Sequence, residues 1–407
     1  MEIVLIIYRI ISYITLLYGA YYVVSGLIGL IFEKKKRTVL KNVDKENYFG
    51  VIVAARNEEA VIGNLIDSLN NLNYNKEKYK TYIFINNTSD NTAKVVKEHG
   101  ANAVDVTVPV KTKADVLSFA FDYLKKDKNI DAYIVFDADN VVHPDFLKHM
   151  NDVLNNGYRV ATSFRDAKNP SDSWVSGSYT ICYYIHNLFF CQSRMGLNGN
   201  ANITGTGFMV KKEIVDQNGF NTYSLTEDME FTGQCALKDE KIYYADKAIT
   251  YDEYPSSFKT SWKQRKRWTV GNLQCMKLYS IKLVKNFFKT FKLPNLDMFC
   301  NFLATFSQIL MVLNFAVFGI INILINGKII KVAVIVLIIS YLSQVFISVI
   351  TIMYLNKKIS PLWKGIVLFS LFIISWLPIS VICLFKKNLK WEEIKHDRAI
   401  TLEEIGN

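Results

Sequence analysis

The chain has 407 residues, of which 50% are hydrophobic, and it carries a formal net charge of +11. The hydrophobic residues are concentrated at the two ends, so the number of soluble domains does not follow from the length. No nucleic-acid recognition module accompanies the basic charge, and a nucleic-acid partner is not expected. The cysteines show no CxxC spacing, which argues against a disulfide framework or a zinc site; they are residues 182, 191, 235, 275, 300 and 383.

The first predicted element is a transmembrane helix over residues 1–33. Ile3 to Phe32 is an apolar run broken only by Arg9, and it exceeds the ~20 residues that a helix needs to cross a bilayer. A cleaved signal peptide is the alternative, but the segment is too long and lacks a basic start. The basic run Lys34–Arg37 follows at once, so the positive-inside rule predicts an external N-terminus and a cytosolic domain from residue 33 onward.

Residues 43–255 alternate strand and helix signals. Strands are predicted in GVIVAARNE, TYIFIN, AVDVTV and AYIVFDAD, and helices over 59–71, 91–99 and 112–126. This order predicts an α/β domain with a mostly parallel sheet and right-handed crossovers. In such a sheet, ligands bind beyond the carboxyl ends of the strands. The polar residues at those ends are therefore expected to meet in one cleft: Ala55–Glu58, Asn86, Asn87, Asp137 and Asp139.

Asp137 and Asp139 stand at the end of the apolar strand AYIVFDAD. Two carboxylates at i and i+2 repel each other unless a cation offsets their charge. Hard divalent cations take oxygen ligands, keep some waters and also accept phosphate oxygens. The pair therefore indicates a Mg²⁺ or Mn²⁺ site that faces a diphosphate. The alternative is a turn or helix cap that leads to the helix after His143–Asp145.

A second acidic site and a basic aromatic motif follow along the chain. They are Thr226–Asp228 (TED) and Gln264–Trp268 (QRKRW), and the latter combines an amide, guanidinium groups and an indole. The alternative for TED is an N-cap with acidic residues in the first turn of a helix over 228–238, worth about 1 kcal/mol. The alternative for QRKRW is a membrane-surface helix with its Trp as anchor. Chance does not readily explain these motifs in this order before membrane segments.

The positive charge originates mainly in residues 256–295, which hold 10 Lys and Arg residues and no Asp or Glu. Part of this region has an amphipathic helical pattern. This pattern predicts an interfacial helix with an apolar face in the lipid and lysines at anionic head groups, although an ordinary solvated helix is the alternative. The apolar face is Val284, Phe287, Phe288 and Phe291, and the basic face is Lys282, Lys285, Lys289 and Lys292.

Three further apolar runs predict a multi-pass membrane protein with a C-terminal membrane region over 296–385. Three crossings would place the C-terminus outside, yet the basic tail over 386–407 is assigned to the cytosol by the positive-inside rule. One run must therefore fail to cross. Pro378 makes the last run the candidate for a short or re-entrant helix. The runs are at about Phe299–Ile325, Lys331–Leu355 and Leu362–Phe385.

Together these motifs resemble the membrane-integrated, processive members of glycosyltransferase family 2, such as cellulose, hyaluronan and poly-N-acetylglucosamine synthases, over about residues 48–275. The resemblance implies a GT-A-like (Rossmann-like) domain that transfers a sugar, with inversion, from a nucleoside diphosphate sugar, usually a UDP-sugar. Asp139 and Asp137 would hold the donor and the Mg²⁺ or Mn²⁺ ion, and Asp228 would act as the general base. Glu227 would shape the pKa of Asp228.

The resemblance also implies contacts to the two substrates. Arg267 would contact the diphosphate, and Trp268 would stack on the acceptor sugar. Gln264 would orient substrate groups. Gly205 and Thr206 would lie beside the acceptor, and the absence of a side chain on the glycine would let a sugar approach closely. The alternative for this loop is a tight turn before the strand FMVKK. Further donor contacts are implied for Asn57, Glu58, Asn87 and Lys113.

Two positions depart from the family pattern. Lys113 in KTKADVL lacks the glycines that flank the corresponding lysine in many relatives, and Asn86 stands where they have an Asp that touches the base. The second departure leaves the nucleotide open. The aromatic stretch Trp174–Phe190 is a candidate route for a sugar chain, and packing is the alternative for most of its side chains.

These observations leave several functions open. The leading hypothesis is a processive synthase that exports a β-linked polysaccharide through its own membrane region, with accessory export or modifying subunits as further partners. A single-addition transferase acting on a membrane lipid would share the donor chemistry. A catalytically silent assembly subunit would explain the two departures. A transporter without transferase activity is disfavoured, because the predicted spans carry almost no charged residues.

Overall fold

The central part of the chain is built around one eight-stranded sheet. The computed structural model describes residues 2–41, 43–324, 330–385, 396 and 398–406. Ile325 of a predicted span and the tail residues 386–395 and 397 lie outside the described residues. The strands are β1 (Phe49–Ala55), β2 (Tyr79–Ile85), β3 (Asn102–Asp105), β4 (Ala132–Asp137), β5 (Val141–Val142), β6 (Val160–Ala167), β7 (Phe208–Lys211) and β8 (Ile242–Asp252).

The strand order in the sheet is β3-β2-β1-β4-β7-β6-β8-β5. The pairs β2–β3, β1–β2 and β1–β4 are parallel, as the alternating strand and helix signals predict, and β6–β8 is parallel too. β7 lies antiparallel between β4 and β6, and β5 is antiparallel to β8. The predicted α/β class with a mostly parallel sheet is therefore confirmed, and the antiparallel strand β7 divides its two parallel parts.

Helices cover the sheet and leave its central strands buried: Val51, Ile52 and Tyr133 expose no surface. Local signals set the helix starts. α4 begins with a capping box in which the backbone N–H of Thr112 donates to the Asp115 carboxylate at 2.9 Å. A π-helical turn, Asn187–Gln192, joins α6 to α7. The helices are α2 (Ile62–Asn70), α3 (Thr92–Glu98), α4 (Lys113–Leu124), α5 (Phe146–Asn155), α6 (Trp174–His186), α7 (Ser193–Gly196), α8 (Lys212–Asn218) and α9 (Glu227–Leu237).

The remaining helices belong to the two ends of the chain. Within the described part of the chain, four helical segments are long and apolar enough to cross a membrane: Glu2–Lys36, Ala304–Asn322, Ala333–Tyr354 and Ser360–Phe385. The first of these packs tightly against α7. A Cβ on Gly196 would collide with the backbone of Gly29 and Glu33, so the two helices can approach this closely only with a glycine there. The helices are α1 (Glu2–Lys36), α10 (Phe258–Thr290), α11 (Leu293–Phe302), α12 (Ala304–Leu324), α13 (Ile330–Tyr354), α14 (Trp363–Ile374), α15 (Trp376–Phe385) and α16 (Leu402–Gly406).

The basic region predicted over 256–295 contains one long helix, α10, and the start of α11. Ser257 caps α10, since its Oγ accepts from the backbone N–H of Thr260 at 3.1 Å. Leu283 is fully buried on the inner side of α10, whereas Phe288 and Phe291 are 66% and 74% exposed. Phe288 and Phe291 therefore form an exposed apolar surface at the end of α10.

The last apolar run is broken into α14 and α15 at Ser375. Pro378 has no N–H to donate to the carbonyl of Ile374, so the helix ladder is interrupted there. Arg265 of α10 fills the break: its Nη1 donates to the Phe372 carbonyl at 3.1 Å and to Ser375 Oγ at 2.7 Å. The buried guanidinium of Arg265 thus donates a hydrogen bond to a backbone carbonyl at the break.

Residues before and after this broken segment contact the domain that contains the sheet. Before α14, Lys357 Nζ lies 2.6 Å from Asp166 Oδ2. After α15, His396 Nδ1 lies 3.1 Å from Glu58 Oε2. The described residues that precede and follow the segment Ser360–Phe385 along the chain therefore contact the same domain.

Candidate active site

A cavity of about 500 Å³ opens at the carboxyl ends of β1, β2 and β4 and extends to α12, α14 and α15. Its position agrees with the expectation that ligands bind where parallel strands end. The structure brings most of the predicted site residues to its wall. They are Glu58, Lys113, Asp137, Asp139, Gly205, Asp228, Gln264, Arg267 and Trp268.

Three predicted residues do not line this cavity. Asn57 adopts a positive φ of 56°, and its Oδ1 accepts from the backbone N–H of Ser89 at 2.8 Å, so it ties two loops together. Asn87, also at positive φ, is exposed beside Asn86, which does line the cavity. Thr206 lies behind Asp137, where its Oγ1 accepts from the Asp137 backbone N–H at 3.0 Å. It therefore positions Asp137 and, at 1% exposed, has almost no surface of its own.

Asp137 forms an ion pair with Lys113, at the start of α4. The Lys113 ammonium also donates to the Gly205 carbonyl at 2.7 Å. Burial alone would raise the pKa of Asp137, but the Lys113 charge outweighs it and holds the pKa below its usual value. Asp137 is therefore ionised. Lys113, for which the sequence predicts a contact with the donor, contacts Asp137 in the structure.

Asp139 is 7% exposed, and the His396 ring approaches it, with Nε2 at 4.0 Å from Asp139 Oδ2. The described residues include no group of three His, Cys, Asp or Glu side chains with metal-site spacing. Asp139 and Asp137 nevertheless fit a Mg²⁺ or Mn²⁺ ion, because such ions are commonly held by one or two carboxylates together with substrate phosphates and water.

Asp228 lies in the first turn of α9, and its Oδ1 accepts from its neighbour's backbone N–H, that of Met229, at 2.8 Å. Burial, followed by the adjacent Glu227 charge, raises the pKa of Asp228 to about 7. A carboxylate with a pKa near neutrality is a stronger base than an ordinary one. The alternative for TED holds in part: Thr226 is the N-cap residue of α9 with Glu227 and Asp228 in the first turn, but its side chain makes no capping hydrogen bond.

Gly205 separates the two acidic groups. It has a φ of +87°, and a Cβ built on it would lie 3.4 Å from Asp228 Oδ2 and 4.0 Å from Asp137 Oδ2. A side chain at this position would therefore fill the space between the predicted base and the predicted donor site. The glycine is needed both for its backbone conformation and for this space.

The side chains of the QRKRW motif point in two directions. Gln264, Arg267 and Trp268 face the cavity, whereas Arg265 points away and fills the helix break. Gln264 Oε1 and Arg267 Nε are buried and have no hydrogen-bond partner within the described part of the chain. A diphosphate or sugar would supply such partners. Trp268 lies nearly parallel to Trp376, with ring centroids 6.3 Å apart.

Sequence reasoning missed three residues of the site. Arg165 of β6 lines the cavity, pairs with Asp252 and lies over the Tyr183 ring at 4.3 Å. Glu230 is buried, and its Oε2 accepts from the backbone N–H of Ser224 at 2.7 Å, which holds the loop before Asp228. His396 reaches the cavity from the C-terminal tail. Short motifs do not mark Arg165 and His396, because tertiary contacts bring them in, whereas Glu230 lies two positions after Asp228 in the first turn of α9.

The aromatic stretch Trp174–Phe190 forms α6 and the following π-helical turn. Tyr179, Tyr183 and His186 line the cavity, whereas Tyr184 and Phe190 are buried in the core. Tyr183 stacks on Tyr254 with an interplanar angle of 2°. Part of the stretch therefore borders the cavity, and the rest packs.

These features define a GT-A-type sugar-nucleotide transferase fold with a buried acidic and cationic cleft. The profile described as "Glycosyltransferase like family 2" matches residues 46–271. The chain therefore belongs to glycosyltransferase-like family 2.

Named relatives differ in their products. The chain is 27% identical over 278 residues to the beta-monoglucosyldiacylglycerol synthase of Trichormus variabilis, which covers 67% of this chain and 59% of that relative. It is 25% identical over 290 residues to the poly-beta-1,6-N-acetyl-D-glucosamine synthase of Staphylococcus epidermidis, covering 68% of this chain and 67% of that relative. The chain thus spans about three-fifths of the length of the first relative.

A solved structure supports the fold over nearly the whole chain. The mannosyltransferase PcManGT from Pyrobaculum calidifontis, in complex with GDP-Man and Mn²⁺, matches with a TM-score of 0.58 at 13% sequence identity. The match covers 90% of this chain and 99% of that chain. At this identity the similarity concerns the fold alone.

Proposed function

We propose that this protein is an inverting glycosyltransferase that moves a sugar from a nucleoside diphosphate sugar, with UDP as the expected nucleotide, to the end of a growing β-linked polysaccharide. One observation carries the proposal: the cavity runs without interruption from Asp139 and Asp228 to α12 and α15. An acceptor chain bound in the part of the cavity beside α12 and α15 would present its end to Asp228. The wall there carries the amide, hydroxyl and indole groups that suit sugars: Asn272, Asn301, Thr305, Gln308, Trp268 and Trp376.

In the transfer step, Asp228 accepts the proton of the acceptor hydroxyl while the hydroxyl oxygen forms a bond to the anomeric carbon. The bond from that carbon to the diphosphate oxygen breaks, and the nucleoside diphosphate leaves with the electron pair. Attack from the side opposite the leaving group inverts the anomeric carbon. Arg267 offers a cation to the diphosphate, and its planar guanidinium matches phosphate oxygens.

Asp139 and Asp137 are the residues that would hold a Mg²⁺ or Mn²⁺ ion. When bound, the ion would neutralise charge on the leaving diphosphate. Lys113 keeps Asp137 ionised, and Thr206 fixes its backbone.

The activity is expected to depend on the ionisation of Asp228. Because its pKa is raised to about 7, the carboxyl group is protonated below that pH and cannot accept the acceptor proton. We therefore expect kcat to rise about tenfold per pH unit below 7 and to level off above it. Steady-state kinetics between pH 5.5 and 8.5 measures this profile. A flat profile over that range would contradict the assignment.

Gly205→Ala is expected to lower transfer at least ~10-fold, because displacements of about 1 Å near reacting groups cost up to 10²-fold. The added methyl group would enter the space between Asp228 and Asp137. Gly100→Ala is the matched control: Gly100 has a similar φ of +79°, but a Cβ there meets nothing within 4 Å. Both variants should lose about 1–2 kcal/mol of stability to backbone strain, and only Gly205→Ala should lose activity. Equal activity of the two variants would contradict the role of Gly205.

A single-addition transferase that glycosylates a membrane lipid is the second candidate, favoured by the similarity to beta-monoglucosyldiacylglycerol synthases. Membrane vesicles containing the protein, offered labelled UDP-sugars with Mg²⁺ or Mn²⁺, separate the two functions. A polysaccharide synthase yields a product of high molecular weight on a gel, and a lipid transferase yields a small product that partitions into organic solvent. Incorporation from none of the donors would favour a silent subunit or one that requires an accessory partner.

We further propose that the catalytic domain lies in the cytosol, with α10 on the anionic surface of the cell membrane. Lys34, Lys35 and Lys36 at the end of α1 support this orientation. The contacts of Lys357 and His396 support a re-entrant last segment, because residues before and after it along the chain contact the same catalytic domain. A re-entrant segment would also reconcile the basic tail with the number of apolar runs.

Impermeant thiol labelling of single-cysteine variants tests this arrangement. Gly406→Cys in the tail should react in inside-out vesicles and not in intact cells. Val39→Cys, 86% exposed just after α1, is the cytosolic control, and Glu2→Cys at the N-terminus is the external one. Reaction of Gly406→Cys in intact cells would contradict the re-entrant segment.

A further inference from the structure

Tyrosines of α1 donate hydrogen bonds to α11, the helix that precedes α12 and borders the cavity. Tyr18 donates to the backbone carbonyl of Cys300 at 3.1 Å. Tyr22 donates instead to a side chain that lines the cavity, because its hydroxyl oxygen lies 3.1 Å from Asn301 Oδ1. A side chain of the N-terminal membrane helix is therefore bonded to the cavity wall.

The hydrogen bond from Tyr22 sets the orientation of the Asn301 amide. Asn301 Oδ1 accepts from Tyr22, and Nδ2 lies 3.8 Å from the thioether sulfur of Met298, a weak acceptor. The reverse orientation would place Oδ1 against that sulfur, so that two acceptors would face each other without a proton between them. The amide nitrogen carries two N–H groups, and Met298 takes one of them. The second is left for a ligand in the cavity.

Two further side chains of the same wall, Asn272 and Thr305, are linked to Asn301. Asn272 Nδ2 donates to the Asn301 carbonyl at 3.0 Å, and the Thr305 hydroxyl group donates to Asn272 Oδ1 at 3.1 Å. The hydroxyl proton of Thr305 is thereby used, and its oxygen is left as an acceptor. The wall thus offers an N–H donor at Asn301 and an oxygen acceptor at Thr305. A sugar hydroxyl group matches this pair, because it both accepts and donates.

We propose that Tyr22 is a positioning residue of the acceptor site, which holds the Asn301 amide with an N–H group toward the acceptor sugar. This role rests on the proposed function, since the part of the cavity beside α12 and α15 must be the acceptor site. The N-terminal membrane helix then contributes to acceptor binding. Without the Tyr22 hydroxyl group, the amide would adopt both orientations, and the acceptor sugar would lose its hydrogen bond for part of the time.

The length of the product tests this role, because a chain that is held less firmly is released earlier. One hydrogen bond contributes about 2–10-fold to affinity, and differences in affinity between related complexes lie mainly in the dissociation rate. Purified protein in liposomes is given the labelled UDP-sugar that the wild type incorporates, at saturating concentration. Tyr22→Phe should shorten the mean product about 2–10-fold, while the initial rate of incorporation changes by less than about twofold. Tyr18→Phe is the matched control and should preserve both, because it removes the same group from α1 and leaves the Asn301 amide in place.

A double-mutant cycle shows whether Tyr22 acts through Asn301. Asn301→Leu should shorten the product at least as much as Tyr22→Phe does. Addition of Tyr22→Phe to Asn301→Leu should then shorten it no further, since the amide that Tyr22 holds is already absent. A merely structural role of Tyr22 would shorten the product by the same factor in both backgrounds.

Each remaining outcome decides the matter. Product of wild-type length from Tyr22→Phe, or an equal shortening in the two backgrounds, would overturn the role of Tyr22 and leave the proposed function intact. Wild-type protein that makes no polymer would overturn the proposed function and the role of Tyr22 together. Thermal unfolding in detergent confirms that Tyr22→Phe is folded, and the phenylalanine keeps the ring that packs edge-on against Tyr18 and Tyr21.

Discussion

Asp228→Asn is expected to lower kcat for sugar transfer by ~10²–10⁴-fold, the usual contribution of a general base. The amide keeps the size of the carboxylate and can still accept from the Met229 backbone N–H, so donor binding should persist. Sugar incorporation and nucleotide affinity, measured on the same preparation, separate these effects. A kcat within a factor of ten of wild type would contradict the role of Asp228.

Glu227→Gln is the matched control for this substitution. It removes one negative charge from the same turn of α9, and that charge contributes to the raised pKa of Asp228. The pKa of Asp228 should therefore fall, and the activity profile should move to lower pH while the maximal rate changes much less than in Asp228→Asn. If Glu227→Gln is the more damaging variant, Glu227 is the base and the assignment is reversed.

The largest effect on stability is expected for Arg194→Met. Arg194 is fully buried and Asp297 is 2% exposed, and Arg194 Nη2 lies 2.8 Å from Asp297 Oδ1. Tyr21 of α1 donates to the same carboxylate at 2.5 Å, so the pair joins α1, α7 and α11. Removal of one partner leaves a buried charge without its counterion, which typically costs about 3–5 kcal/mol. Unfolding in detergent, followed by circular dichroism, measures the loss.

The double variant Arg194→Met with Asp297→Leu controls for the loss of the side chain itself. Both charges are then absent, and replacement of a buried ion pair by apolar residues is often neutral or stabilising. The double variant should therefore recover most of the stability that the single variant loses. Equal losses in the two variants would show that packing, and not the unpaired charge, accounts for the effect.

The parts of the site that the sequence predicts are those encoded by short contiguous segments. Asp137 ends a strand and Asp139 follows two positions later, Asp228 lies in the first turn of a helix, and Arg267 with Trp268 occupies one turn of α10. Strand ends and helix faces follow from local periodicity, so these residues could be assigned to one cleft before their contacts were known. The parallel part of the sheet was predictable for the same reason.

The remaining features depend on contacts between distant parts of the chain. Arg165 comes from a strand that no clear alternation marked, and His396 reaches the cavity across 338 residues of sequence from Glu58. Arg265 belongs to QRKRW, yet it caps a broken membrane segment because Pro378 interrupts a helix 113 positions later. No local pattern carries such information. Lys113 and Thr206 were found by sequence, but their contacts with Asp137 required the folded structure.

The most direct test of the account is the anomeric configuration of the product made by purified protein in liposomes from an α-linked UDP-sugar. Nuclear magnetic resonance of the isolated product reports the configuration, and each nucleotide released should match one sugar incorporated. The account predicts a β-linked product whose formation is lost in Asp228→Asn. An α-linked product, or nucleotide release without sugar transfer, would contradict a single displacement with Asp228 as the base.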